Sequence, residues 1–417
     1  MKCIIRPSRL KGYLTPPTSK SHSIRAILFA TLAKGTSNIQ GLLDSSDIEA
    51  TLNAAKQFGA KINGSTITGI SGKPSTPVNS IDSGNSGLVF RFGTSIAGLC
   101  EGKVTITGDH SIQTQRPIQA LLEAMKPLGV QSNGIQPPIQ IQGPWIGGHT
   151  CISTEDSQQL SALLIAAPFG ESDTTISVPH VGEKPWIELT LDWLNRLGIQ
   201  YERNGFDRFH IPGKQTLERF FYSVPADFSS LAFPLAAALL TNSRVTINHL
   251  NMQDSQGDKQ LIPCLQELGA QFDLSENSLT VLPNHSLAGK TIDVNDFIDA
   301  LPILAVIGTQ AEGETRIVNA AIARKKESNR IVCIKNELTK MGAKIEELPD
   351  GLLIRKSPLS GAVVNAHQDH RIGMALTVAG LIASGETIIE GVECIAKTYK
   401  NFFHDLQKLG AYLEVYE

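Results

Sequence analysis

Two kinds of helical pattern alternate along this chain. In Asp47–Gln57, Ile118–Pro127, Trp186–Arg196, Lys259–Glu267, Asn329–Lys340 and Asn401–Lys408, apolar residues recur at three- and four-residue spacing. That spacing predicts helices with one buried face. A second set, Ile24–Leu32, Leu160–Ala167, Leu231–Leu240, Ala300–Ile307 and Ile372–Ile382, is apolar almost all round and rich in small residues. Such helices are expected to be buried on every side. After each comes a polar turn and a strand, as in Asn242-Ser-Arg-Val-Thr-Ile and Gly313-Glu-Thr-Arg-Ile-Val. After each amphipathic helix comes glycine, a small or branched residue and a strand, then a turn and a second strand, as in Lys61-Ile-Asn-Gly-Ser-Thr-Ile-Thr.

These glycines are residues 59, 129, 198, 269, 342 and 410, separated by 70, 69, 71, 73 and 68 positions. So regular a spacing predicts six copies of one unit: helix, strand, helix, strand, strand. Glycine just past a helix end suits the left-handed C′ position. The sixth copy stops one strand short, and the N-terminal strand Lys2–Arg6 is free to complete it. The expected fold class is therefore α/β, with three copies in each of two domains. One domain is expected over residues 19–226, and a discontinuous one over residues 1–18 plus 227–417. A solenoid with capped ends is the competing architecture.

Composition adds limits. Net charge is −3 with 18% charged residues, so no whole-chain field draws nucleic acid or an anionic membrane. The six cysteines lie far apart without metal-ligand spacing and read as reduced thiols. No secretory signal opens the chain, and its longest apolar runs are about half a membrane span. A cytoplasmic location follows as the expectation.

Candidate chemistry gathers at helix starts. The apolar helices open with Thr18-Ser-Lys-Ser-His-Ser-Ile-Arg25, Ser83-Gly-Asn-Ser-Gly-Leu-Val-Phe-Arg91, Asp156-Ser-Gln158, Asp227-Phe-Ser-Ser230, Asp296-Phe-Ile-Asp299 and Gln368-Asp-His-Arg371. The amphipathic helices open at Asp47, Gln115-Arg116-Pro117, Lys184-Pro185, Asp258-Lys259, Arg324–Arg330 and Lys397-Thr398. Helix N-termini present unpaired N–H groups and partial positive charge. Adding Lys20, Arg25, Arg91, Arg116, Lys326, Arg330, Arg371 and Lys397 predicts an anion-binding surface suited to phosphate or carboxylate. Taken singly, Ser and Asp at these places are ordinary N-caps. The recurrence across copies is what favours function. Asp299 and Glu327 sit among the cations as a candidate proton-moving pair, with a simple Lys–Glu ion pair as the plainer alternative.

With these motifs in place, the chain resembles the enolpyruvyl transferase family along its full length. The likeness runs through Ser19-Lys-Ser-His-Ser-Ile-Arg25, Gly84-Asn-Ser-Gly87 with Arg91, Gln115-Arg-Pro-Ile118, Asp156-Ser-Gln158, Phe297-Ile-Asp299, Lys326-Glu-Ser-Asn-Arg330, Asp369-His-Arg371 and Ala396-Lys-Thr398. The resemblance implies a two-domain inside-out α/β barrel of six βαβαββ-type units. It implies transfer of the enolpyruvyl group of phosphoenolpyruvate to the 5-hydroxyl of shikimate 3-phosphate, releasing phosphate through a tetrahedral intermediate. No metal and no organic cofactor are implied. Neither a nucleic-acid nor a membrane partner is expected, and the chain is expected to act as a monomer. Lys20, Ser21, Arg25, Ser157, Gln158, Asp299 and Lys326 match the shikimate-phosphate side. Lys20, Asn85, Gly87, Arg116, Gln158, Arg330, Arg371 and Lys397 match the phosphoenolpyruvate side. Asp299 resembles the base that takes the 5-hydroxyl proton, Glu327 the acid that protonates the methylene carbon, and Lys20 is placed with both substrates.

The chain departs from the family pattern at Thr18, Leu88, Phe92, Asp156, Glu183, Trp186 and Ile322. Asp156 and Glu183 stand where serines are usual. Leu88 and Phe92 stand where threonine and proline are usual. The sibling activity, transfer to UDP-N-acetylglucosamine, is the alternative within the family. It is disfavoured because Asp109–Gln115 has no cysteine and the Ser-Lys-Ser-x-x-x-Arg grip is present. An anion-binding scaffold without turnover is the non-enzymatic alternative.

Overall fold

The computed structural model describes residues 1–283 and 286–417. The chain divides into a continuous unit, Thr18–Val224, and a split unit, Met1–Pro17 with Pro225–Glu417. The continuous unit contains α1 (Lys20–Leu32), α2 (Ser46–Gln57), α3 (Gly87–Ala97), the short α4 (His110–Thr114), α5 (Gln119–Met125), α6 (Ser157–Ala166) and α7 (Lys184–Arg196). The split unit contains α8 (Phe228–Leu240), α9 (Leu261–Glu267), α10 (Leu301–Gly308), α11 (Arg330–Lys340), α12 (His370–Ile382) and α13 (Phe402–Lys408).

Among the described residues each unit carries three four-stranded sheets. In the split unit the apolar helices α8, α10 and α12 pack on one another and the sheets lie outside them. This inside-out order follows from sequence. Helix α8 is buried at every residue from Phe228 to Leu239, and α10 at every residue it has. A helix without a polar face cannot sit on a surface, and each Leu, Ile or Phe withdrawn from water contributes roughly 1.5–3 kcal/mol. The amphipathic helices cover the periphery. In α11 the buried positions Arg330, Ile331, Ile334, Glu337 and Leu338 form one stripe. All six repeat glycines have positive φ, from 71° at Gly198 to 108° at Gly59, which ends each amphipathic helix and turns the chain into its hairpin.

Strand Lys2–Arg6 pairs antiparallel with both Thr387–Glu390 and Tyr412–Tyr416, completing the sheet of the sixth copy. The two places where the chain passes between units show a further exchange. Elsewhere, the strand before an apolar helix pairs parallel with the strand after it, as Ile81–Asp82 does with Lys103–Thr107 around α3. Strand Lys11–Leu14 precedes α1, but it pairs with Arg244–Asn248, the strand after α8. Strand Phe221–Ser223 precedes α8, but it pairs with Thr36–Gln40, the strand after α1. Each unit therefore closes with a strand delivered from the far end of its own stretch of chain, which a solenoid would not do.

Two helix starts differ from expectation. Asp299 lies in a 3₁₀ turn, Asn295–Ala300, kinked at Phe297 ahead of α10. Glu327 lies in the loop between the 3₁₀ turn Ala321–Lys325 and the start of α11 at Arg330. Pro302 at the start of α10 suits a helix beginning, not an interior. No helix among the described residues is long and apolar enough to cross a membrane.

Candidate active site

In the split unit, Arg330 is the hub. Its guanidinium is buried and donates to three carboxylates: Nη1 to Asp299 Oδ1 at 2.7 Å, Nη2 to Glu327 Oε2 at 2.7 Å, and Nε to Asp369 Oδ2 at 2.8 Å. Arg371 Nη2 lies 2.7 Å from the other Asp299 oxygen, and Lys397 Nζ lies 3.2 Å from Glu327 Oε1. Five of the expected residues thus meet in one cluster, with Asp369 as a sixth member. Asp369 also caps α12, accepting from the Arg371 backbone N–H at 3.0 Å, and it accepts from Ser328 Oγ. Its N-cap position was the available sequence signal, since it stands first in Asp369-His-Arg371.

The electrostatics of Asp299 follow from that geometry. Burial would push its carboxyl up, but the guanidiniums of Arg371 and Arg330, with the Lys326 ammonium, outweigh it and hold the group well below the usual carboxylate range. The Arg330 guanidinium is disfavoured by burial, yet Asp369, Glu327 and Asp299 hold it charged. Beneath lies Asp258, buried and in contact with Ser229 Oγ, while the Ser229 carbonyl accepts from Arg371 Nη1 at 3.3 Å. Burial, then the nearby Asp299 carboxylate, raise the Asp258 carboxyl to about 7.

In the continuous unit, the expected residues occupy three adjoining places. At the start of α3, Asn85 Nδ2 donates to Asp109 Oδ2 at 2.6 Å and Ser111 Oγ at 2.9 Å. A Cβ added at Gly87 would meet Arg91 Nη1 at 2.8 Å, Gln158 Oε1 at 3.2 Å and Arg116 Nη1 at 3.4 Å, so Gly87, Gln158 and Arg116 converge and only a hydrogen side chain fits without a shift. Arg91 itself differs from the anion-binding expectation. It is committed to protein acceptors: Asp156 Oδ2 at 2.9 Å, Gln158 Oε1 at 2.8 Å and the Pro117 carbonyl at 2.9 Å. Asp156 thereby neutralises Arg91 while capping α6 through the Gln158 N–H.

At the start of α1, Ser19 caps the helix and Lys20 Nζ lies 3.4 Å from Asp47 Oδ2. Arg25 is 1% exposed and reaches α7, donating to Thr190 Oγ1 at 2.9 Å and to the Trp186 carbonyl, and it donates to the Ser21 carbonyl at 3.2 Å. Its guanidinium lies 5.1 Å from the Phe92 ring centroid. No carboxylate pairs with it among the described residues, and burial lowers it to about 9. Ser157, at the start of α6, donates through both its backbone N–H and its hydroxyl to Glu183 Oε2, each at 3.1 Å.

Against known proteins, residues 4–406 match the family described as EPSP synthase (3-phosphoshikimate 1-carboxyvinyltransferase). A 3-phosphoshikimate 1-carboxyvinyltransferase from Chlamydia caviae is 43% identical, covering 99% of this chain and 94% of the relative. One from Ruminiclostridium cellulolyticum is 40% identical, covering 99% of each. Among solved structures, an EPSP synthase from Acinetobacter baumannii superposes with a TM-score of 0.84 at 27% identity over the whole of both chains.

Proposed function

Because the chain belongs to the EPSP synthase (3-phosphoshikimate 1-carboxyvinyltransferase) family, we propose how its own residues divide the labour of that reaction. The protein transfers the enolpyruvyl group of phosphoenolpyruvate to the 5-hydroxyl of shikimate 3-phosphate, giving 5-enolpyruvylshikimate 3-phosphate and phosphate. In our reading, Arg330, Arg371, Lys397, Arg116, Asn85, Gly87 and Gln158 bind phosphoenolpyruvate. Ser21, Arg25, Ser157, Gln158 and Lys326 bind shikimate 3-phosphate, and Lys20 serves both.

The observation that carries this reading is the sharing of Arg330 by Asp299 and Glu327 at 2.7 Å each. These carboxylates neutralise the cations that a phosphoenolpyruvate anion would engage. When that anion takes over Arg371 and Arg330, the pull on Asp299 weakens and its basicity rises. Asp299 then accepts the 5-hydroxyl proton as the oxygen attacks C2. Glu327 gives a proton to C3, forming the methyl group of the tetrahedral intermediate. Return of a proton from that methyl group to the Glu327 carboxylate, with departure of phosphate from C2, gives the enol ether of the product. The cations stabilise charge as it develops.

Turnover in deuterium oxide tests the acid assignment. The parent protein is expected to place deuterium at C3 of the product, and Glu327→Gln to slow both deuteration and product formation. Unchanged rates in that variant would remove Glu327 from the role. The same reading makes the protein a cytoplasmic monomer, which light scattering on a sizing column checks for the oligomeric part.

A further inference from the structure

In the reading above, Ser157 receives the phosphate of shikimate 3-phosphate, and the inference here rests on that assignment. The seat is already taken. Ser157 presents a backbone N–H and a hydroxyl at the start of α6, and both donate to one oxygen of the Glu183 carboxylate. Both residues are 2% exposed. Glu183 is the residue before α7, yet its side chain makes no capping bond to α7. Its backbone is left-handed, at φ 51° and ψ 43°. A non-glycine residue is uncommon there and carries backbone strain. Here the side chain is drawn across to the neighbouring helix start, where carboxylate and partial positive charge attract. Arg25, a buried cation with no carboxylate partner among the described residues, donates to the Trp186 carbonyl three residues further on.

We propose that Glu183 is a specificity-determining residue that competes with the substrate's phosphate group: its carboxylate occupies the donors of Ser157 until a dianionic phosphate displaces it. One pair of donors cannot serve a phosphate and a carboxylate together, because each donor hydrogen has one acceptor and the two like charges would lie in contact. Displacement lowers the apparent affinity for shikimate 3-phosphate by the fraction of time the seat is open. It also discriminates. A ligand carrying only a single weak negative charge at that position gains too little to evict Glu183, whereas a phosphate dianion with the Arg25 cation at hand does. A serine at 183 would instead add a donor.

The test uses the 417-residue chain and its Glu183→Ser, Glu183→Gln and Ser157→Ala variants, with shikimate 3-phosphate and, separately, inorganic phosphate as probes in calorimetric titrations. Steady-state KM values for both substrates accompany them. Glu183→Gln keeps the size and an acceptor for Ser157, so it preserves folding if the serine variant does not. The expected result is tighter binding of shikimate 3-phosphate by both Glu183 variants, by about tenfold for Glu183→Ser, the scale of a lost hydrogen bond to a charged group. Its KM falls in parallel while the KM for phosphoenolpyruvate moves by less than about twofold, as independent sites require. Unchanged or weaker binding in both Glu183 variants, with Ser157→Ala weakened, would overturn the inference and keep Ser157 as a phosphate ligand. Unchanged binding in Ser157→Ala would overturn the Ser157 assignment, and the inference with it.

Discussion

Arg330 Nη1 donates to Asp299 Oδ1 at 2.7 Å, and this contact ties the start of α11 to the turn that leads into α10. A general base in such a grip is fully ionised but weakly basic, and it becomes useful when substrate competes for the same guanidinium. We therefore expect Asp299→Asn and Asp299→Ala to lower kcat by about 10²–10⁴, the usual worth of a general base, with much smaller changes in either KM. Near-parental turnover would show that another group takes the proton. Asp299→Ala should also lower the melting temperature, because it strips the buried guanidiniums of Arg330 and Arg371 of a counter-charge. Asparagine should be milder.

Arg116→Ala is expected to act differently. Its guanidinium converges with Gly87 and Gln158, and a clamp of this kind holds the ground state as well as the transition state. The change should fall mainly on the KM for phosphoenolpyruvate, by about tenfold or more. A fall in kcat with no change in KM would contradict the assignment.

Much of this architecture was legible in sequence because glycine ends each amphipathic helix at a positive φ that suits it better than any other residue. Any other residue pays for positive φ, so the repeat shows through the divergence between copies. The exchange of strands at the two crossings was not legible. Phe221–Ser223 is three residues long, and nothing in so short a run says that its partner is Thr36–Gln40. The anion-binding residues were recognisable as types at helix starts, but their commitments were not. Arg91 looks like Arg25 in sequence, but Arg91 is paired with the carboxylate of Asp156, 65 positions further along the chain, whereas Arg25 donates to hydroxyl and carbonyl oxygens. The Glu183–Ser157 and Asp258–Ser229 pairs likewise join elements 26 and 29 residues apart, beyond any local pattern.

Asp258 gives a pH test. Its folded carboxyl is raised to about 7 from the ordinary 3.8, by burial and then by Asp299. Arg371 and Ser229 oppose the rise, and Asp227 adds to it. Between those values the folded chain holds a proton that the unfolded chain has released, so stability falls as pH rises from about 4 to 7. Asp258→Asn cannot lose that proton. The melting temperature of the variant minus that of the parent should be more positive at pH 8 than at pH 5. An equal difference at both pH values would mean that Asp258 titrates normally.

Phe92 lies beneath Arg25, at 5.1 Å from its guanidinium carbon. A desolvated contact of this kind is worth about 2 kcal/mol. Phe92→Leu should leave Arg25 less well held and raise the KM for shikimate 3-phosphate several-fold, with a smaller effect on that for phosphoenolpyruvate. An effect confined to phosphoenolpyruvate would instead tie Phe92 to the Gly87 turn of α3.

The most direct measurement is phosphate release from phosphoenolpyruvate, with shikimate 3-phosphate and with UDP-N-acetylglucosamine supplied in turn. The account predicts release at steady turnover with shikimate 3-phosphate, none above background with UDP-N-acetylglucosamine, and loss of the first signal in Glu327→Gln. Release with UDP-N-acetylglucosamine alone, or with neither acceptor, would contradict it.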